Sequence, residues 1–338
     1  MSDQIRPIRE WENVTRERFE KEIAPLREPA VFRGLFRDWP IVAKGRFSSA
    51  EVVEYLKRFY TSKPIGTAKA PPAENGRLFY NGAMNGYNFQ RTMQDMRLVL
   101  SELLELENAT DPQTIAMQAV TASDHLPGFE DENVMTLVPE VPARLWIGNA
   151  AVIAPHYDHL ENLACVAVGR RRFTLFPPEQ LENLYIGPID NTPAGAPISM
   201  VDLSAPDFEL YPRFADALAN AQTAELEAGD VIYIPYMWWH GVQALERFNV
   251  LVNYWWDEHA RPELLAPRIA MMVARLAFSD MSPEQLGRWR AMFDHYIFDD
   301  RGDAMEHLPE HARGVFGKLD SKQVRQLRQV LSRMLIES

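Results

Sequence analysis

The 338-residue chain contains a single cysteine, Cys165. One thiol excludes an intramolecular disulfide and any zinc site that is built from several cysteines. No apolar run approaches the length of about 18 residues that a membrane-spanning helix needs. Residues 1–10 are polar and lack the apolar core of a signal peptide. We therefore expect a cytoplasmic protein with no membrane partner.

Basic residues are also few. Lysine and arginine number 35 against 47 aspartates and glutamates, which gives a formal net charge of −12 at pH 7. Non-specific binding to nucleic acid or to an anionic membrane surface needs a basic patch, so both roles are disfavoured. Because the chain has only one cysteine, its chemistry must come from histidine, aspartate, glutamate, tyrosine and arginine.

The first third of the chain is predicted to contain both helices and strands. The spacing of its apolar residues and its turn residues predict helices over 15–24, 48–60 and 89–108, a strand over 29–34 and a proline-rich loop over 61–76. From residue 115 the pattern changes to short apolar runs bounded by turn residues. These predicted strands are 115–120, 143–147, 152–155, 162–168, 171–176, 224–226, 231–235 and 249–255. Many short strands at close spacing indicate an antiparallel sandwich or barrel.

After residue 261 the strand pattern ends, and helices are predicted over 262–278, 282–293 and 320–336. The chain is therefore expected to be mainly β with flanking helices. Its predicted parts are an N-terminal α/β extension over 1–110, a β core over 111–260 and a C-terminal helical segment over 261–338. An apolar seam in the last helix, from Val324 to Met334, would close onto the core or pair with a second chain.

The segment from Pro155 to Asn162 holds a candidate metal site. Residues two apart on a strand point to the same side, so His156 and Asp158 present an imidazole and a carboxylate together. His240, which follows the apolar run 231–235, is the candidate third ligand. Two histidines and one carboxylate form the ligand set of non-haem Fe(II) oxygenases. Alternatively, His240 is an edge histidine whose hydrogen bonds are satisfied within the protein.

Several motifs occur in an order that makes a family resemblance specific. They are Trp146-Ile-Gly148, His156-x-Asp158, Asn162, Gly169-Arg-Arg-Arg-Phe-Thr-Leu-Phe-Pro-Pro178, Gly229-Asp-Val-Ile-Tyr-Ile-Pro235, Trp238-Trp-His240 and Asn253-Tyr-Trp255. Together they resemble the cupin-like JmjC hydroxylases, the group that contains the asparaginyl hydroxylase of hypoxia-inducible factor. The matching stretch runs from about residue 145 to residue 256.

The resemblance implies a double-stranded β-helix, or jelly roll, that holds Fe(II) and uses 2-oxoglutarate and O2. By position in the motifs, the residues that fall on the iron triad are His156, Asp158 and His240. The amides Asn162 and Asn253 fall near the C1 carboxylate of the co-substrate, and Arg171 falls on the residue that binds its C5 carboxylate. Glu161 remains an alternative ligand, as in an ordinary cupin.

Strand alternation supports Arg171 separately from the resemblance. Arg171, Phe173 and Leu175 share one face of the strand, and its two apolar members indicate the interior. A buried guanidinium needs an anion, and its planar fork suits a carboxylate. Otherwise the basic run is a solvated strand end.

The chain departs from the family pattern at Ile153. In the family, this position carries a hydroxyl residue that helps to hold the C5 carboxylate. We expect Tyr80 to supply an aromatic hydroxyl instead, although Phe79 could be the aligned residue and Tyr87 is a second candidate. If neither tyrosine reaches the pocket, a different co-substrate becomes credible.

Three functions follow from these observations. The first is a 2-oxoglutarate-dependent oxygenase that hydroxylates an amino-acid side chain of a protein or peptide, or a small molecule. The second is a cupin metalloenzyme that works without 2-oxoglutarate, and the third is a non-catalytic dimeric binding protein. The resemblance also implies a homodimer formed through the C-terminal helices. The acidic stretch 98–143, which lacks lysine and arginine, would favour a basic substrate if it borders the pocket.

Overall fold

The computed structural model describes residues 5–193, 195–257, 264–298 and 302–337. Residues 1–257 and 258–338 form two compact units. The strands are β1 Arg6–Pro7, β2 Arg9–Glu10, β3 Ala30–Phe32, β4 Ile65–Ala70, β5 Gln90–Gln94, β6 Thr114–Thr121, β7 Ala143–Gly148, β8 Val152–His156, β9 Glu161–Val168, β10 Arg171–Phe176, β11 Gln222–Leu226, β12 Val231–Ile234, β13 Trp239–Ala244 and β14 Asn249–Trp256.

The α-helices are α1 Arg16–Arg18, α2 Pro40–Phe47, α3 Ser49–Lys57, α4 Met96–Leu106, α5 Ala122–His125, α6 Phe129–Glu132, α7 Phe214–Ala219, α8 Pro267–Phe278, α9 Pro283–Phe293 and α10 Ser321–Glu337. Short π-helical turns span Phe19–Ile23 and Asp294–Phe298. Short 3-10 turns span Ala24–Leu26, Pro72–Glu74, Pro178–Leu184, Glu310–Ala312 and Gly314–Phe316. No helix in the described ranges combines the length and the apolar character needed to cross a bilayer.

Two largely antiparallel sheets build the first unit. One has the strand order β1-β11-β10-β13-β8, and the other has the order β2-β3-β12-β9-β14-β7-β6-β4-β5. Inward-facing residues of both sheets form one apolar cluster, to which β9 contributes Ala164 and Val166, β10 contributes Phe173 and Leu175, and β14 contributes Leu251. This arrangement confirms the predicted mainly β fold with a double-stranded β-helix core.

The predicted loop over 61–76 is wrong, because residues 65–70 form β4. This strand pairs with β5 on one side and with β6 on the other. Pro64, Pro71 and Pro72 lie outside the strand, so they delimit it without removing a hydrogen-bond donor from its ladder. This sheet therefore contains strands from both sides of residue 110.

The helix predicted over 89–108 is correct only from residue 96. Residues 90–94 form β5, and Asp95 caps α4 by accepting a hydrogen bond from the Arg97 amide at 2.9 Å. Met93 lies on β5 and is 68% exposed. The apolar face of α4 is buried at Met96, Val99, Leu100 and Leu103.

The second unit contains α8 to α10. The predicted start of its first helix at Pro262 lies outside the described residues, and α8 begins at Pro267. Ser282 caps α9 in a complete capping box with Gln285. The ring centroids of Phe278 and Trp289 lie 5.7 Å apart, so α8 and α9 pack through aromatic side chains.

Candidate metal centre

His156 and His240 meet because their strands are neighbours. β8 and β13 run antiparallel, and the two histidines are directly opposite each other in the register. Their ring centroids lie 4.2 Å apart. Asp158 follows β8 by two residues, and its Oδ2 lies 3.5 Å from His240 Nε2. The candidate ligand atoms of these three residues all lie within 4.8 Å of one another, which is compatible with a shared metal ion.

A backbone carbonyl contacts one ring nitrogen of each imidazole. His156 Nδ1 lies 3.0 Å from the Ala154 carbonyl oxygen, and His240 Nδ1 lies 3.0 Å from the Trp238 carbonyl oxygen. A carbonyl only accepts, so Nδ1 is the donor in each contact and Nε2 is the ring nitrogen that remains for a metal. Burial lowers the pKa of His240 to about 4, so this ring is neutral at pH 7. Both histidines are therefore prepared to bind a metal through Nε2.

A chain of amides holds the carboxylate of Asp158. Asn253 Nδ2 donates to Asn162 Oδ1 at 2.8 Å, and Asn162 Nδ2 donates to Asp158 Oδ2 at 3.3 Å. Asn162 and Asn253 lie on the paired strands β9 and β14, and both are buried. Asn253 Oδ1 has no hydrogen-bond partner among the residues that the structure describes. The two predicted amides therefore lie at the candidate metal centre.

Arg171 lies in the interior, as strand alternation predicts. Its exposed fraction is 8%, and Phe173 and Leu175 on the same face of β10 are fully buried. The neighbouring arginines point outward, where Arg170 pairs with Glu246 at 2.7 Å and Arg172 pairs with Glu225. Arg171 is thus not part of a solvated strand end.

The Arg171 guanidinium lacks an anionic partner in the described part of the chain. Its one hydrogen bond is a long contact of 3.5 Å from Nη2 to the Trp146 carbonyl oxygen, and Nε is buried without a partner. The indole N–H groups of Trp146 and Trp255 are likewise buried, with no hydrogen-bond partner among the described residues. Burial lowers the pKa of Arg171 to about 10, which leaves it charged at pH 7. Unpaired buried donors beside a buried cation suit a carboxylate.

One cavity contains all these groups. The residues lining it include the three candidate metal ligands, Asn162, Asn253, Arg171, Ile153, Gln118, Trp146 and Trp255. Gln118, Trp146 and Trp255 had no predicted role. The two tryptophans belong to the motifs Trp146-Ile-Gly148 and Asn253-Tyr-Trp255, which could have indicated them, whereas Gln118 lies in the apolar run 115–120 and carries no distinguishing signal.

Tyr80 does not line this cavity, which corrects its predicted role. Its hydroxyl donates to the Asn191 carbonyl oxygen at 2.7 Å. The hydroxyl of Tyr87 lies 2.7 Å from both Asn191 Oδ1 and the Thr192 carbonyl oxygen, and Phe79 packs edge-on against Tyr80. Both hydroxyls thus contact the segment 191–192 and not Arg171.

Glu161 is also directed away from the candidate metal centre. It precedes Asn162 on β9, so its side chain points to the opposite face of the sheet. There it accepts hydrogen bonds from Arg27, from the Tyr233 hydroxyl at 2.6 Å and from the Tyr236 amide at 3.2 Å. The alternative in which Glu161 binds the metal is therefore wrong.

The acidic stretch 98–143 makes its contacts elsewhere. Glu102 pairs with Lys69 at 2.5 Å, Glu132 with Arg58 at 2.9 Å and Glu140 with Arg16 at 3.1 Å. The acidic residues of this stretch are not among the residues that line the cavity. Their charge is partly compensated by these ion pairs, so it provides little support for attraction of a basic substrate.

Comparison with known proteins agrees with this geometry. The family model described as a cupin-like domain matches residues 16–261. The tRNA wybutosine-synthesizing protein 5 of Gallus gallus is 26% identical over 266 residues, covering 72% of this chain and 75% of that protein. The lysine-specific demethylase JMJ31 of Arabidopsis thaliana is 25% identical over 285 residues, covering 75% of this chain and 50% of that protein. The lysine-specific demethylase 8 of Xenopus tropicalis is 24% identical over 250 residues, covering 71% of this chain and 51% of that protein. The chain thus spans about half the length of the two demethylases.

Proposed function

Because the chain belongs to the cupin-like domain family, in its JmjC-type branch of Fe(II)- and 2-oxoglutarate-dependent oxygenases, we propose that it hydroxylates an unactivated C–H bond. The substrate in this proposal is an amino-acid side chain of a protein or peptide. The observation that carries it is the grouping of His156, Asp158 and His240 in one cavity with the unpaired guanidinium of Arg171.

His156, Asp158 and His240 would hold Fe(II) through two Nε2 atoms and one carboxylate. The donor set fits this metal, because two neutral imidazoles and one carboxylate leave open positions for other ligands. Bound Fe(II) and 2-oxoglutarate supply the activation of O2, which is coupled to oxidative decarboxylation of the keto acid. Asn162 and Asn253 orient the Asp158 carboxylate, so its lone pairs are directed before the metal binds.

Arg171 would bind the C5 carboxylate of 2-oxoglutarate. Since Ile153 and Tyr80 provide no hydroxyl to this end of the cavity, other donors must complete the carboxylate's hydrogen bonds. The indole N–H groups of Trp146 and Trp255 are buried, unpaired in the described residues and part of the same cavity wall. We assign this task to them.

The overall charge supports a protein or peptide substrate. The relatives' names point in different directions, since one refers to tRNA and two refer to lysine. With a net charge of −12, this chain has no overall attraction to a polyanion. Modification of an RNA and not of any peptide would contradict this part of the proposal.

Anaerobic titration tests the proposal. We expect the Fe(II)-loaded protein to develop a weak, saturable visible charge-transfer band as 2-oxoglutarate is added, because the keto acid chelates the metal. Succinate lacks the keto group and serves as the control, for which no band is expected. A protein that binds iron but gives no band with 2-oxoglutarate would favour the cupin metalloenzyme that works without this co-substrate.

We also propose that the C-terminal helices form a homodimer. Helices α8 and α10 carry exposed apolar side chains, including Leu276 and Ile336, which are 76% and 82% exposed in the single chain. One chain has a mass of 38.8 kDa, and multi-angle light scattering should give a molar mass in solution of twice that value. Leu276→Asp should shift the protein toward the monomer, because it places a charge on the apolar face. A monomeric wild-type protein would refute the proposal.

A further inference from the structure

Glu161 is a buried carboxylate that the proposed chemistry does not use. Its exposed fraction is 6%, although it is adjacent in sequence to Asn162. Burial of a carboxylate is costly unless hydrogen bonds and opposite charge compensate it. Here Arg27 approaches Oε1, while the Tyr233 hydroxyl and the Tyr236 amide approach Oε2 at 2.6 and 3.2 Å. The carboxylate therefore joins three separate parts of the chain.

The part that contains Tyr236 leads directly to His240. This turn, residues 235–238, connects β12 to β13, and Met237 lies in the left-handed region with a φ of 65°. A methionine in this conformation is strained, so surrounding contacts must maintain it. The Met237 amide donates to the Asp158 carbonyl oxygen at 3.1 Å, and the Trp238 indole donates to the Arg27 carbonyl oxygen at 3.1 Å.

These contacts connect the two halves of the candidate metal centre. Glu161 begins β9, whose next residue, Asn162, donates to Asp158. Through Tyr236 and Arg27, the same carboxylate holds the turn that places His240. Asp158 and His240 are carried by different segments, so their separation of 3.5 Å depends on how these segments are held together.

We propose that Glu161 is a positioning residue that fixes the distance between Asp158 and His240 and so raises metal affinity. This inference rests on the proposed function, because it requires that the three-residue group binds a metal. Glu161 does not touch the metal in this proposal. It acts through the 235–238 turn on one side and through the start of β9 on the other.

Asp230 provides a matched control. It is also a buried carboxylate, it also accepts from an arginine of the N-terminal region, Arg33 at 2.7 Å, and it accepts from the Gly34 and Glu227 amides at 2.8 and 3.0 Å. It directly precedes β12, whereas the turn held by Glu161 follows that strand. Asp230 does not line the metal cavity. Its loss should therefore destabilise the fold without changing the metal site.

The test is anaerobic titration of the full chain with Co(II), followed by the visible absorption of the bound ion. We expect Glu161→Ala to weaken Co(II) binding by about 10-fold, the lower end of the range typical for loss of a direct outer hydrogen-bond partner of a metal ligand, because Glu161 acts on the ligands only through the neighbouring segments. Asp230→Ala should bind Co(II) as the wild type does. Glu161→Gln should recover much of the affinity, because its amide oxygen can still accept from Tyr236.

The outcomes separate this inference from the proposed function. If the wild-type protein binds neither Co(II) nor Fe(II), the proposed function fails. If the wild type binds Co(II) and Glu161→Ala binds it equally well, or if Asp230→Ala weakens binding to the same extent, the positioning role is refuted. Should Glu161→Ala not fold, Arg27→Ala decides the matter, because the Arg27 side chain is 58% exposed. This variant should weaken Co(II) binding several-fold, and unchanged affinity would refute the role.

Discussion

Replacing Asp158 with alanine should abolish stoichiometric Fe(II) binding while leaving a folded protein. Asp158 provides the only carboxylate of the three candidate ligands. Its loss should therefore lower metal affinity by more than the roughly 100-fold that follows removal of an outer hydrogen-bond partner. The fold should persist because Asp158 lies beyond the end of β8 and makes no strand pairing. Iron content after anaerobic reconstitution, together with a thermal unfolding curve, measures both effects.

His240→Ala should give the same loss of iron, with a larger decrease in stability because His240 is buried. His159→Ala is the control for Asp158→Ala, since His159 is the next residue and lies outside the three-residue group. It should retain iron. If both Asp158→Ala and His240→Ala retained stoichiometric iron, the assignment of the metal centre would be wrong.

Arg171→Met should weaken 2-oxoglutarate binding by at least about 30-fold, because loss of one partner of a buried charge pair typically costs 2–5 kcal/mol. Iron should remain bound, since Arg171 is not among the candidate ligands. Without co-substrate, the variant should unfold at no lower temperature than the wild type. The substitution removes a buried cation that has no anionic partner among the described side chains. Calorimetric titration with 2-oxoglutarate and thermal unfolding test these expectations.

Arg172→Met is the natural comparison for this variant. Arg172 is the next residue on β10, but it points to the outer face and pairs with Glu225. It should bind 2-oxoglutarate as the wild type does. Equal affinities for the wild type, Arg171→Met and Arg172→Met would show that the C5 carboxylate lies elsewhere.

Local patterns predicted the β core well and the N-terminal sheet extension poorly. The short apolar runs after residue 115 correspond to strands, because their side chains are buried from one or both faces. β4 contains Gly66 and several small residues and is flanked by prolines, so its sequence has the character of a loop. It is a strand because β5 and β6 supply hydrogen bonds on both sides. Pairing between distant segments here outweighs local propensity.

Arg171 could be placed from a local sequence pattern, whereas the position of Tyr80 depends on a distant segment. Strand alternation is a local property, so it was sufficient to place Arg171 inside the core. Tyr80 lies in a segment without a regular repeat, and its direction depends on the segment 191–192, which is more than 100 residues away in sequence. No spacing argument could have located it. The substitutes that we propose, Trp146 and Trp255, became apparent only because their buried N–H groups have no partner in the described structure.

The sequence by itself determined the mainly β class and the residue types of the metal centre. These follow from a period of two along each strand and from the side chains' own chemistry. Only the tertiary structure decided that β8 and β13 are neighbours with His156 opposite His240, and that Asn253 reaches Asp158 through Asn162. It also decided that Glu161 faces away from the cavity. Strand order and register depend on which distant segments bury each other, and the spacing of residues along one segment does not contain that information.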